Sequence, residues 1–205
     1  MIADPVRFNK TIARFDAVNA EDPRKEIIAG VEYPKELLYA RRMTAWLSML
    51  APEASEVLQL ATRSQHIRRW VIPRREYPMD RQGYKQWRMT LAKFHGETAG
   101  KILREEGHAE DTIHRVQALL RKQSLKLDPE AQLLEDVACL VFLENYFADF
   151  SKQHDKKKLI GILRKTWKKM SSRGREAALA LPLAPNVRVL LQEALEDSKS
   201  ACLPD

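Results

Sequence analysis

Apolar residues recur three and four positions apart along most of the chain, and that spacing predicts one helix after another. Phe8, Ile12 and Phe15 mark a first helix over Pro5–Asn19, followed by a loop over Ala20–Tyr33 with a short turn at Ile27–Ile28. Pro34 opens a second helix to about Leu50, with Leu38, Met43, Trp46 and Leu47 for packing, and Ala51-Pro52 breaks it. Ala54–Trp70 reads as a third helix through Leu58, Ala61 and Ile67, and Val71–Asp80, with two prolines, as an irregular loop. A long helix over Gln82–Glu106 stops at Gly107, and Glu110–Lys122 follows with Ile113, Val116, Leu119 and Leu120. Asp128 and Pro129 give the clearest start, a capping carboxylate and then a proline that needs no partner for a backbone N–H, for a helix to Phe150. Three more helices are expected: Lys156–Met170 behind Asp155, a short one from Ser171 or Ser172 to near Leu181, and Asn186–Asp197. No convincing alternating run and only seven glycines occur, so the expected fold is all-α. The expectation is one helical domain, its core at about 37–150 and a helical appendage at about 155–197.

Several polar residues interrupt these apolar stripes. Asp136 falls three after Leu133 and four before Leu140, His95 lies between Leu91 and Ala99, and Gln65 and His66 follow Leu58 and Ala61. A buried carboxylate needs a cation, a metal or hydrogen-bond donors, so Asp136 is expected to cap a helix, to pair with Arg63 or Arg42, or to join a shared polar pocket. His66, His95 and Asp136 form a candidate metal set for manganese, zinc, iron or magnesium, with Glu97 and Gln123 as further oxygen donors. His108, His114 and His154 read as surface histidines.

Charge turns attention to phosphate. The net charge is +7 with a pI near 9.4, which favours nucleotides or nucleic acid as partners, with a plain solvated basic surface as the alternative. No apolar run is long enough for a bilayer, the start lacks a signal-peptide layout, and Cys139 and Cys202 are poorly placed to pair, so a cytoplasmic setting is expected. The segment RSQHIRRWVIPRREYPMDRQGYKQWR interleaves arginines with Trp70, Tyr77, Tyr84 and Trp87, a composition suited to a phosphate and the flat face of a base or sugar. Arg63, Gln65, Arg69, Trp70, Arg74 and Lys165 are the candidate binding residues. Among the lysines that follow Asp155, only Lys165 is expected to reach inward, with Trp167.

The order of elements over Leu37–Tyr146 resembles the HD superfamily of metal-dependent phosphohydrolases, through LQLATRSQHIRR, LAKFHGETAGKILREEGH, TIHRVQALLRKQSLK and DPEAQLLEDVACL. That resemblance implies a helical domain with one or two metal ions and hydrolysis of nucleotide phosphate esters, or, in some branches, oxidation at a di-iron site. The chain departs from it: Gln65-His66 stands where the family has His-Asp, no histidine lies near Tyr39–Arg42, and Gln123 replaces a common later histidine. The segments QHIRRW, IPRREYPMDRQGYKQWR, QLLEDVACLVFLENYF and LRKTWKKMS resemble more specifically the domain of unknown function 4202.

Three activities are expected from these residues. In the first, a metal among His66, His95 and Asp136 activates water for hydrolysis of a nucleotide-like phosphate ester, with Glu97 as base and Lys122 as a catalytic cation. In the second, the same scaffold without metal binds a nucleotide or RNA through its arginines and aromatics. A di-iron oxygenase is the third.

Overall fold

The computed structural model describes residues 2–122 and 127–200, with side chains to residue 196. Ten α-helices and one two-stranded hairpin are the regular elements of those residues, so the fold is all-α. Gln123 and Cys202 lie outside the described residues.

Asp4 starts α1 (Pro5–Ala20) by accepting from the Arg7 N–H. The next stretch corrects the expectation of a loop: β1 (Lys25–Ile28) pairs antiparallel with β2 (Val31–Pro34), Lys25 opposite Pro34 and Ile28 opposite Val31. Ala29 and Gly30 both take positive φ (49° and 80°), the geometry that joins two strands in a two-residue turn. Ile27, Ile28 and Val31 are all exposed, so the hairpin lacks the inside–outside alternation that reveals most strands.

α2 (Lys35–Leu50) leads to α3 (Glu56–Ser64), which Ser55 caps from Leu58 N–H. α3 ends six residues before the expected Trp70, because Arg68 turns into the left-handed region at φ 52°. Two 3-10 turns, Arg69–Val71 and Arg74–Glu76, then cross the proline-rich segment. α4 (Arg81–Glu105) begins at the Asp80 cap and stops at Gly107, whose φ of 77° is costly for any residue with a Cβ. α5 (Glu110–Leu120) and α6 (Pro129–Asn145) follow. The single helix expected to reach Phe150 is broken at Tyr146 (φ −125°), and α7 (Phe147–Ser151) resumes after it. α8 (Lys156–Lys169), α9 (Ser172–Leu179) and α10 (Pro185–Ser200) complete the order.

The chain divides into two compact units, Met1–Leu134 and Glu135–Asp205, the boundary falling inside α6. In the first, α4 packs along α5, α3 packs on α2 and α5, and α1 lies against α2, α3 and α4. Phe15, Met43, Leu47, Leu58, Leu60, Leu103 and Ile113 are buried there, each worth about 1.5–3 kcal/mol relative to exposure. In the second, α8 packs on α10 around Leu159, Leu163, Val187 and Leu191. Among the described residues no helix is long and apolar enough to cross a membrane.

Candidate functional site

The turn that ends α3 gathers the most unusual chemistry of the first unit. Its backbone is fixed from two sides: Ile67 N–H bonds to Ser64 O, and Arg68 N–H donates to Oδ1 of the buried Asn19 in α1 at 3.1 Å. A non-glycine residue in the left-handed region costs about 1 kcal/mol or more, and here Arg68 reverses the chain so that Arg69 folds back on His66. Nη1 of Arg69 lies 2.7 Å from Nε2 of His66. A guanidinium only donates, so His66 Nε2 accepts and its proton sits on Nδ1. That Nδ1 faces Oε2 of Glu36 at 3.5 Å. Tyr39, one helical turn beyond Glu36 in α2, stacks on the His66 ring at 4.0 Å between centroids and 12° between planes.

Glu36 is itself held. Asp22 accepts from the Glu36 N–H at the start of α2, and Arg24 bridges Asp22 Oδ2 (3.0 Å) to Glu36 Oε1 (2.8 Å). Burial raises the Glu36 carboxyl above its ordinary value, opposed by Arg69 and Arg24. His95 enters from α4, 5.9 Å from His66 between ring centroids. Its Nδ1 lies 2.8 Å from Ile67 O; a carbonyl only accepts, so Nδ1 carries the proton and Nε2 a lone pair. That Nε2 is buried and has no hydrogen-bond partner among the described residues, and the same holds for Oε1 of Gln65.

The electrostatics follow from this crowding. Burial first, then Arg69, Lys122, Arg88 and Arg24, hold His66 well below its ordinary pKa. Burial, then His66, push His95 down to about 3, so both rings are neutral at physiological pH. Arg69 lies over Trp87, 4.9 Å from the ring centroid. Arg24, Arg69, Arg88 and Lys122 all bear on His66; leaving aside Lys122, which has contacts of its own, three cations stand against two carboxylates (Asp22, Glu36), an excess of one positive charge. Arg88 has no ion pair or hydrogen bond among the described residues. The His66 side chain is 22% exposed, so the cluster reaches solvent.

The expected site residues divide by what the fold does with them. Gln65, His66, Arg69 and His95 come together around the turn, with Lys122 close enough to bear on His66. Arg63 is instead forked onto Asp16 at 2.7 and 2.6 Å, with Thr44 as a third partner, and Arg42 pairs with Glu26. Arg74 spends its guanidinium on the carbonyls of Tyr77, Pro78 and Asp80, which fixes the loop before α4. Trp70 is half-buried in its 3-10 turn. Glu97 is exposed beside Lys93, and Lys165 is exposed on α8 in the second unit. His108, expected at the surface, is buried and bonds to Thr11 at 2.8 Å.

Asp136 works inside the second unit, where Ser171 N–H donates to Oδ1 at 2.8 Å and the Ser171 hydroxyl to Oδ2. Ser171 is the cap of α9, and a Cβ on Gly174 would lie 2.7 Å from Asp136 Cγ. Of the roles expected for Asp136, supporting a helix start is the one these contacts match. Among the described residues no three His, Cys, Asp or Glu side chains are placed to hold a metal ion. The donor chemistry agrees: guanidinium occupies His66 Nε2, and Ser171 engages both Asp136 oxygens. Of the expected metal set, His66 Nε2 and both Asp136 oxygens are therefore engaged within their own units.

Sequence reasoning missed Glu36, Tyr39, Asp22 and Arg24. The spacing of three between Glu36 and Tyr39 puts both on one face of α2, and Asp-Pro-Arg before the hairpin is a turn signal, so both were visible locally. Their meeting with His66 was not.

Over residues 9–191 the chain matches the family model described as domain of unknown function (DUF4202), and it belongs to that family. No curated protein and no solved structure matches it.

Proposed function

We propose that this protein binds a phosphate-bearing, nucleotide-like small molecule at the Tyr39–His66–Arg69–His95 cluster, without a metal among the protein ligands. The observation that carries this is Arg88, a cation without a bonded partner among the described residues, set near the half-buried Arg69 and giving the cluster its one positive charge in excess. An oxyanion supplies the missing negative charge, and guanidinium groups match it with paired donors. The His66 ring, backed by the buried Tyr39 and 22% exposed, offers a flat face for a base or sugar. The limited exposure at His66 suits a small molecule better than an RNA strand, which needs an exposed basic track.

The test is calorimetric titration of the full chain with pyrophosphate and adenosine monophosphate across a salt series. Binding that weakens as salt rises, and falls about tenfold in Arg88→Gln with the melting temperature kept, is the expected result. Binding to none of these probes, or binding indifferent to salt, overturns the proposal.

A metal-assisted hydrolase of the HD type is the second reading. It rests on His95, which donates through Nδ1 to a backbone carbonyl as metal-ligating histidines commonly do. Metal content after incubation with manganese, zinc or iron, together with phosphatase activity lost in His95→Ala, would favour it over simple binding.

A further inference from the structure

His95 Nε2 is a buried acceptor with no donor among the described residues, on a residue only 4% exposed. Orphan polar atoms of this kind are rare, because leaving one unmade costs about as much as a good hydrogen bond returns. Its origin is plain: the other ring nitrogen is committed to Ile67 O, which fixes the tautomer and turns the lone pair away from that bond. A second orphan, Gln65 Oε1, sits two residues before Ile67 on the same turn. The turn thus carries one unsatisfied acceptor, and the histidine bonded to its Ile67 carbonyl carries another, next to a surplus of positive charge.

We infer that His95 Nε2 is a specificity-determining acceptor for a hydroxyl group of the ligand, so that the site selects phosphorylated sugars and ribonucleotides over phosphate esters lacking that hydroxyl. This rests on the phosphate-binding reading above. The missing partner must be a donor. It is neutral, because an ammonium would meet Arg69, Arg88 and Lys122 as like charges. A hydroxyl also accepts, so the same group can donate to His95 and receive from a neighbouring guanidinium, a double role closed to an N–H. His95 acts here as an acceptor and not as a base: its ring is too weakly basic to take the proton near neutral pH.

The variant that isolates this role is His95→Asn. An asparagine amide reaches about where Nδ1 sits and can keep the bond to Ile67 O, while nothing replaces Nε2. The full chain and the variant are titrated with pyrophosphate, adenosine monophosphate and its 2′,3′-dideoxy counterpart. In the native chain the ribonucleotide is expected to bind at least tenfold tighter than the dideoxy compound. His95→Asn is expected to abolish that preference by lowering ribonucleotide affinity to that of the dideoxy compound. If all three probes bind and the native chain shows no preference, or the variant retains it, the hydroxyl assignment is overturned and phosphate binding stands. If no probe binds, both fall together.

Discussion

The Asp136 carboxylate and the His95 imidazole are about equally hidden, at 2% and 4% exposure, and both interrupt an apolar helical stripe. Their surroundings differ. Asp136 is met by the backbone and hydroxyl of Ser171, which in turn caps α9 through Gly174 N–H. His95 spends one nitrogen on Ile67 O and keeps the other without a partner among the described residues, in a cluster whose cations outnumber its carboxylates. Burial of a polar side chain is thus a weak sign of function by itself. What separates the two is bonding capacity left over. A group whose bonds close within the fold stabilises a helix end, and a group with an open lone pair points to something outside the chain.

The largest expected effect tests the structural half of that comparison. Asp136→Ala removes both bonds to Ser171 and weakens the cap of α9. Charge-assisted bonds of this type and a lost cap together cost about 3 kcal/mol, which for a chain of this size lowers the melting temperature by about 6–12 °C. Ligand binding by whatever remains folded should be unchanged. A variant that melts like the native chain but loses binding would place Asp136 with the functional residues instead.

These two outcomes were unequally legible in the sequence. Helix periodicity placed nearly every helix to within a few residues, because an apolar stripe is a local property. The hairpin escaped because its strands are solvated on both faces, and the end of α3 escaped because nothing marks Arg68, a non-glycine residue, for left-handed backbone. At the site, the apolar neighbours of His95 and Asp136 announced burial correctly. They were silent on partners, since Ser171 lies thirty-five residues from Asp136 and Ile67 twenty-eight from His95. Arg63 and Arg74 show the same limit: composition marked them as phosphate binders, while Asp16 and the loop carbonyls claim them in the fold.

Protonation gives a second way to sharpen the contrast. In the unfolded chain His95 titrates near 6.5, and in the folded chain near 3. Between those values the unfolded state binds more protons, so stability is lost as pH falls through this window, by up to about 1.4 kcal/mol per pH unit for each such histidine. His66, also depressed, adds to the slope, and Glu36, raised by burial, opposes it at the acid end. The difference between native chain and His95→Asn isolates the His95 part. Urea unfolding between pH 6 and pH 4 should show the variant flatter by about 1.4 kcal/mol per unit. Parallel curves would mean that His95 is not held neutral and that its open nitrogen is satisfied.

The smallest expected effect concerns Glu97, two residues beyond His95 in α4. Two steps along a helix rotate a side chain by about 200°, so His95 and Glu97 point to opposite faces, one into the cluster and the other toward solvent. The Glu97 side chain is 55% exposed and its contact is Lys93 at 3.8 Å, an i,i+4 pair on the helix surface. Surface pairs of this type contribute about 0.5 kcal/mol or less. Glu97→Gln should therefore leave stability within about that margin and nucleotide affinity within twofold, as read by urea unfolding and titration. A large loss of binding would mean that the ligand reaches round to the outer face of α4. The open nitrogen of His95 would then no longer locate the site, and the contrast between closed and open buried groups would no longer separate Asp136 from His95.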